Sequence, residues 1–207
     1  MPEPPKSPIF RFLTEKENLA AALEVTRYAE EIREYVADRF WSRLEEAIKK
    51  NPRASASFSF TRELADKSDG SFYLIARPQG LPEKAQGLLY TIEAHREHIG
   101  GGLAWNAQHF KAAGQIQRLC QLQSLKALGA ELQKRLPGDI KPEPNRWWFW
   151  LEYWERNPYV ADPWCWFGEH LLDDAFFNVL AEKFWDFVLP IDRLVLEANK
   201  ELSRSRS

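Results

Sequence analysis

Cysteine is almost missing from this chain: Cys120 and Cys165 are the only two in 207 residues, too few for a disulfide framework and without the spacing of a metal knuckle. Buried structural thiols are their ordinary role. Net charge is also nearly absent, with 28 Lys and Arg against 30 Asp and Glu, so no overall positive field draws the chain onto nucleic acid or an anionic membrane. No apolar run approaches the roughly 20 residues of a membrane-spanning helix, and the start, Met1 to Lys6, lacks the apolar stretch of a secretion signal. A cytoplasmic protein with no membrane contact is therefore expected. Nothing repeats at a period of about 20 to 50 residues, which argues against solenoids and propellers.

What is present is a globular balance, 44% hydrophobic and 28% charged residues, in a length suited to one well-packed domain. The expected organisation is an extended, proline-rich arm over 1–13, a single α+β domain over 14–202 and a disordered tail over 203–207. Thr14 with Glu17 is a capping-box pattern. Apolar residues then recur at helical steps from Leu19 to Ile48, with a possible break near Thr26 to Tyr28 and a stop at Asn51-Pro52. From Ala54 to Thr61 the period changes to two, a strand with one dry face. Ser68-Asp69-Gly70 is a turn signal before a second strand at Phe72 to Ile75. A third strand is read at 88–95 and a fourth at 99–105, where three consecutive glycines suggest a bulge, a close backbone approach or a phosphate cradle.

A helix is expected over 107–136, closed by Pro137-Gly138. Residues 146–154, dense in aromatics, read as a last strand buried on both faces. A final helix over 169–202 should kink or split at Pro190. Such an element list buries its apolar faces by layering a mixed sheet of four or five strands against long helices.

Chemistry-bearing residues are few. Glu93 and His95, two apart on one strand, share a face, and an adjacent strand brings Asp69 close enough for the two carboxylates to hold a divalent ion, which could activate a water for phosphodiester hydrolysis. The ordinary alternative is that Asp69 belongs to a hairpin turn and that Glu93 and His95 sit on a solvated strand face. His95, His98 and His109 match no standard metal spacing. The element order, with Asp69 opening the second strand and Glu93-x-His95 on the third, resembles the PD-(D/E)XK nuclease superfamily, which includes bacterial proteins with Trp-rich C-terminal strands. The resemblance implies magnesium held by Asp69 and Glu93, and His95 in the place of the lysine that orients the attacking water. Two departures weaken catalysis: no proline precedes Asp69, and a neutral imidazole supplies no fixed ammonium charge.

Two patterns suggest binding instead. Six of the nine tryptophans lie between Trp147 and Trp166, and indoles that stay exposed anchor protein interfaces. Charge is also unevenly spread: residues 107–136 are basic, whereas 150–192 carry nine acids against two bases. Trp154, and Trp164 and Trp166 in an expected loop beside Asp162-Pro163, are the binding candidates, with Arg118 and Lys126. The sequence-based expectation is a non-catalytic protein-binding chain of bacterial or phage type on a degenerate nuclease-like scaffold. It would need no cofactor and would meet a protein partner, or a second copy, through its aromatic, acidic C-terminal half. The alternatives are a magnesium-dependent nuclease acting on DNA or RNA through Asp69, Glu93 and His95, and an acidic mimic of nucleic acid that blocks a basic protein.

Overall fold

A computed structural model describes residues 15–54, 58–66, 71–82, 87–95, 98–106, 113–135, 144, 148–156 and 163–205. Within them, seven helices and five strands follow in the order α1 (Lys16–Arg27), α2 (Ala29–Lys50), β1 (Phe58–Asp66), β2 (Ser71–Pro78), β3 (Leu88–His95), β4 (His98–Trp105), α3 (Ala113–Leu119), α4 (Gln123–Gln133), β5 (Trp148–Arg156), α5 (Pro163–His170), α6 (Asp174–Val188) and α7 (Asp192–Arg204). The class is α+β. The sheet runs β1-β2-β3-β4-β5 with every described neighbour antiparallel, so the expected mixed sheet is an antiparallel one.

Register puts one apolar row inside. Phe60 faces Ala76, Leu74 faces Ile92, Tyr90 faces Leu103, and Leu103 faces Trp150. Helices α2, α6 and α7 cover that row because their own apolar residues recur at three- and four-residue steps. Helix α2 contributes Phe40, Trp41, Leu44 and Ile48, while α6 contributes Phe177, Leu180, Phe184 and Trp185, all at most 2% exposed. Each such side chain adds roughly 1.5–3 kcal/mol when fully buried. Rings meet mainly edge to face, as Phe58 does with Tyr90 at 5.5 Å and Phe40 with Phe177 at 5.1 Å. The buried Tyr90 hydroxyl donates to Asp192 at 3.0 Å, and burial with that carboxylate pushes its phenol far above the ordinary value.

The helix ends have identifiable physical causes. The first long helix breaks at Tyr28, just after Thr26 turns its hydroxyl back onto the Ala22 carbonyl at 2.8 Å, a contact that bends helices. The helix expected over 107–136 appears as two pieces, interrupted at 120–122, because Glu201 of α7 accepts from the Ser124 N–H at 3.0 Å and from its hydroxyl. A carboxylate from another element thus caps the start of α4. Residues 107–112 and 136, like the arm at 1–13, lie outside the described residues. Near the C-terminus, the last expected helix is in two pieces, α6 and α7, with α5 ending at its start. Asp173 opens α6 by accepting from the Phe176 N–H at 3.1 Å, and Pro190, which lacks an N–H, falls between α6 and α7. The segment around Trp164 and Trp166, expected as loop, is helix α5.

Strand β5 is an edge strand, not one buried on both faces: Phe149 and Trp150 are 5% and 4% exposed, whereas Tyr153 is 69% exposed. Its pairing with β4 explains the glycine run. A Cβ on Gly101 would overlap the Trp154 ring, and one on Gly102 would overlap the Trp150 carbonyl oxygen. The glycines therefore let β5 and its indole lie close against β4, the close-approach reading of the run.

Candidate functional site

Glu93 and His95 do share a face of β3, the face turned away from Tyr90 and Ile92. Glu93 is opposite Tyr73 on β2 and Gly100 on β4, while His95 is opposite His98 where β3 and β4 meet. The Tyr73 hydroxyl donates to the Glu93 carboxylate at 3.1 Å. His98 Nε2 lies 3.8 Å from the other Glu93 oxygen, beyond hydrogen-bond reach but close enough to form an ion pair if the ring takes a proton. The two imidazoles stack with centroids 5.2 Å apart, and His98 meets the edge of Tyr153 at 4.2 Å. Glu93 is only 8% exposed.

This arrangement gathers a carboxylate, a phenol and two imidazoles on one sheet face. One Glu93 oxygen already receives the tyrosine proton. Among the described residues no group of three or more His, Cys, Asp or Glu is placed to hold a metal ion. Asp69, the other expected ligand, and His109 lie outside the described residues. Three polar atoms, Thr91 Oγ1, His95 Nδ1 and His98 Nε2, are buried without a hydrogen-bond partner among the described residues. They mark this sheet face as polar.

The aromatic binding candidates fare differently from the expectation. Trp166 is 4% exposed and packs on Phe167 and Phe176, so it belongs to the core and is no free anchor. Trp154 is half-buried against Gly101, and its carbonyl accepts from Lys183 at 2.7 Å. The side chain of Trp164 is outside the described set. Arg118 and Lys126 are exposed on α3 and α4.

The acidic surplus of the C-terminal half is largely consumed within the molecule. Glu152 accepts from Arg135 at 3.0 Å and Glu155 from Lys183 at 2.7 Å. Asp174 pairs with Arg43, and Asp186 pairs with Arg53 at 2.5 Å. Asp173 caps α6, and Asp192 receives Tyr90. Charge counted along the chain missed these pairs because their cations come from 17 to 133 positions away. The Cys120 thiol is half-buried, and burial pushes it above its ordinary value, away from the reactive thiolate.

Exposed apolar surface is concentrated elsewhere. Leu19, Leu23, Val25, Tyr28, Ile32 and Tyr35 are 42–61% exposed, all within α1 and the start of α2. Helix α1 has no buried residue, and α2 enters the core only from Ala37 onward. The signal was present in the sequence as an apolar repeat, but periodicity alone does not say whether a stripe faces inward or outward. No helix among the described residues is long and apolar enough to cross a membrane. No protein-family model, no curated protein and no solved structure matches this chain.

Proposed function

We propose that this chain is a non-catalytic protein-binding molecule whose contact surface is the outward face of α1 and the start of α2, and that Asp69, Glu93 and His95 carry no nuclease activity in it. The exposed apolar residues at the start of α2 carry the reading. Tyr28, Ile32 and Tyr35, with Val25 just before them, are large side chains that the protein's own core leaves in water, and exposed apolar surface marks interaction sites in soluble proteins. The location differs from the C-terminal half expected from composition, where the described tryptophans pack inward and most acids are paired internally. The engagement of Glu93 by Tyr73 supports the same reading.

The test joins two measurements. An Ile32→Glu/Tyr35→Glu variant alters only exposed positions, so its unfolding free energy should stay within about 0.5 kcal/mol of wild type, while partners held by the immobilised wild-type chain should be lost. Neither protein should cleave DNA or RNA with Mg²⁺ or Mn²⁺. Metal-dependent cleavage that disappears in Glu93→Ala would overturn the proposal in favour of a nuclease.

A further inference from the structure

Within the exposed row, Val25, Tyr28, Ile32 and Tyr35 follow one another at steps of three, four and three residues, the spacing of a coiled-coil seam. At about 100° per residue this seam lies on the opposite side of the helix from Phe40, Leu44 and Ile48, which face the core. Three of the four belong to α2, whose first turn begins where the Ile32 N–H donates to the Tyr28 carbonyl at 2.9 Å, while Val25 lies on α1, before the break at Tyr28. Tyr28, Ile32 and Tyr35, spread over about 10 Å of α2, fit the grooves of another helix. A strand or irregular loop offers no matching row of holes.

The seam has one acidic border. Glu24, Glu31 and Asp38 recur every seven residues along it, and all three are exposed. The other border carries Ala29 and Val36. Among the described residues, Arg27 reaches Glu24 at 3.3 Å on the same helix and Arg62 reaches Asp38 at 2.6 Å from β1, surface pairs that each contribute little and leave the border open to a partner's cations. A second copy of this chain is a poor occupant. Antiparallel pairing sets acid border against acid border, and parallel pairing sets the acids against Ala29 and Val36, leaving them without cations. An anionic lipid surface is poorer still, because helices that lie on membranes flank their apolar face with Lys and Arg.

We infer that the Val25–Tyr28–Ile32–Tyr35 seam docks an amphipathic helix of another protein, one that carries Lys or Arg beside its apolar row, opposite Glu24 and Glu31. The inference rests on the reading of this face as a protein-binding surface and names its partner's chemistry.

Two synthetic helical peptides with identical apolar positions, one flanked by Lys and one by Glu, test it by fluorescence anisotropy. The Lys-flanked peptide should bind about tenfold more tightly, from two attractive pairs replacing two repulsive ones, and raised salt should shrink that ratio. Glu24→Lys/Glu31→Lys should reverse the preference, and Ile32→Glu should abolish both complexes. Equal affinity for the two peptides overturns the basic-partner inference while leaving the binding surface in place. Failure of both peptides, with lysate partners still lost in Ile32→Glu/Tyr35→Glu, overturns the helical occupant alone. Sedimentation of the unliganded chain as a dimer that Ile32→Glu dissociates overturns it in favour of a second copy.

Discussion

Asn199 shows how much one polar side chain can hold. It is 4% exposed on α7, its carbonyl oxygen accepts from the Leu88 N–H at 2.7 Å, and its amide donates to the Leu88 carbonyl at 3.1 Å. One side chain thereby satisfies both backbone groups at the start of β3 and ties that strand to the last helix. Asn199→Leu has similar volume but leaves two buried backbone groups unpaired, so the urea midpoint should fall by the equivalent of about 2–5 kcal/mol. At the surface, Asp173 works through charge. The Phe176 N–H, with help from His170, holds its carboxyl below the ordinary value. A carboxyl so lowered favours the fold above its unfolded value of about 3.9, and that contribution disappears as pH falls through the lowered folded value. Urea midpoints for wild type and Asp173→Ala should therefore differ at pH 7 and converge in acid. Neither role was legible from the sequence. Asn199 looks like one more polar residue on a helix until Leu88, 111 positions away, is placed beside it.

Among the elements, legibility followed the local strength of the pattern. The strand at 88–95 was readable to the residue because its β-prone run follows a Pro- and Gly-containing loop that ends at Gly87. The stop at Asn51-Pro52 was equally plain. The break between α3 and α4 was hidden, since the cap that creates it comes from Glu201 and not from its own segment. Helix α5 was missed although Asp162-Pro163 is a sound start signal, an N-cap residue followed by proline at the first helical position. The tryptophans around it had drawn the reading toward an exposed loop. The glycine run offered three readings, and what separates them is the closeness of β5. Gly101→Ala should lower stability by about 1–3 kcal/mol through its collision with the Trp154 ring. Adding Trp154→Ala should restore part of that loss, a non-additivity that calorimetric melting of the single and double variants would measure.

For the molecule as a whole, the α+β class was legible and the placement of the exposed apolar surface was not. Local propensity and period identify elements, but they do not report which acids will find cations or which tryptophans will turn inward. Those outcomes depend on the packing of α2, α6 and α7 against a single sheet face. That packing draws the C-terminal aromatics into the core and leaves the first two turns of α2, with all of α1, outside it. Unlike the rest of the fold, α1 is 12 residues long without a buried side chain, a length at which an isolated helix is marginal in water. Its coil-to-helix balance thus lies close to even and will respond to occupancy. Amide protons over 16–27 should exchange with solvent orders of magnitude faster than those of α6, and should slow once the Lys-flanked peptide is added. The segment's ordering is then itself a reporter of binding: far-ultraviolet ellipticity should deepen on complex formation beyond the peptide's own contribution, and should not in Ile32→Glu.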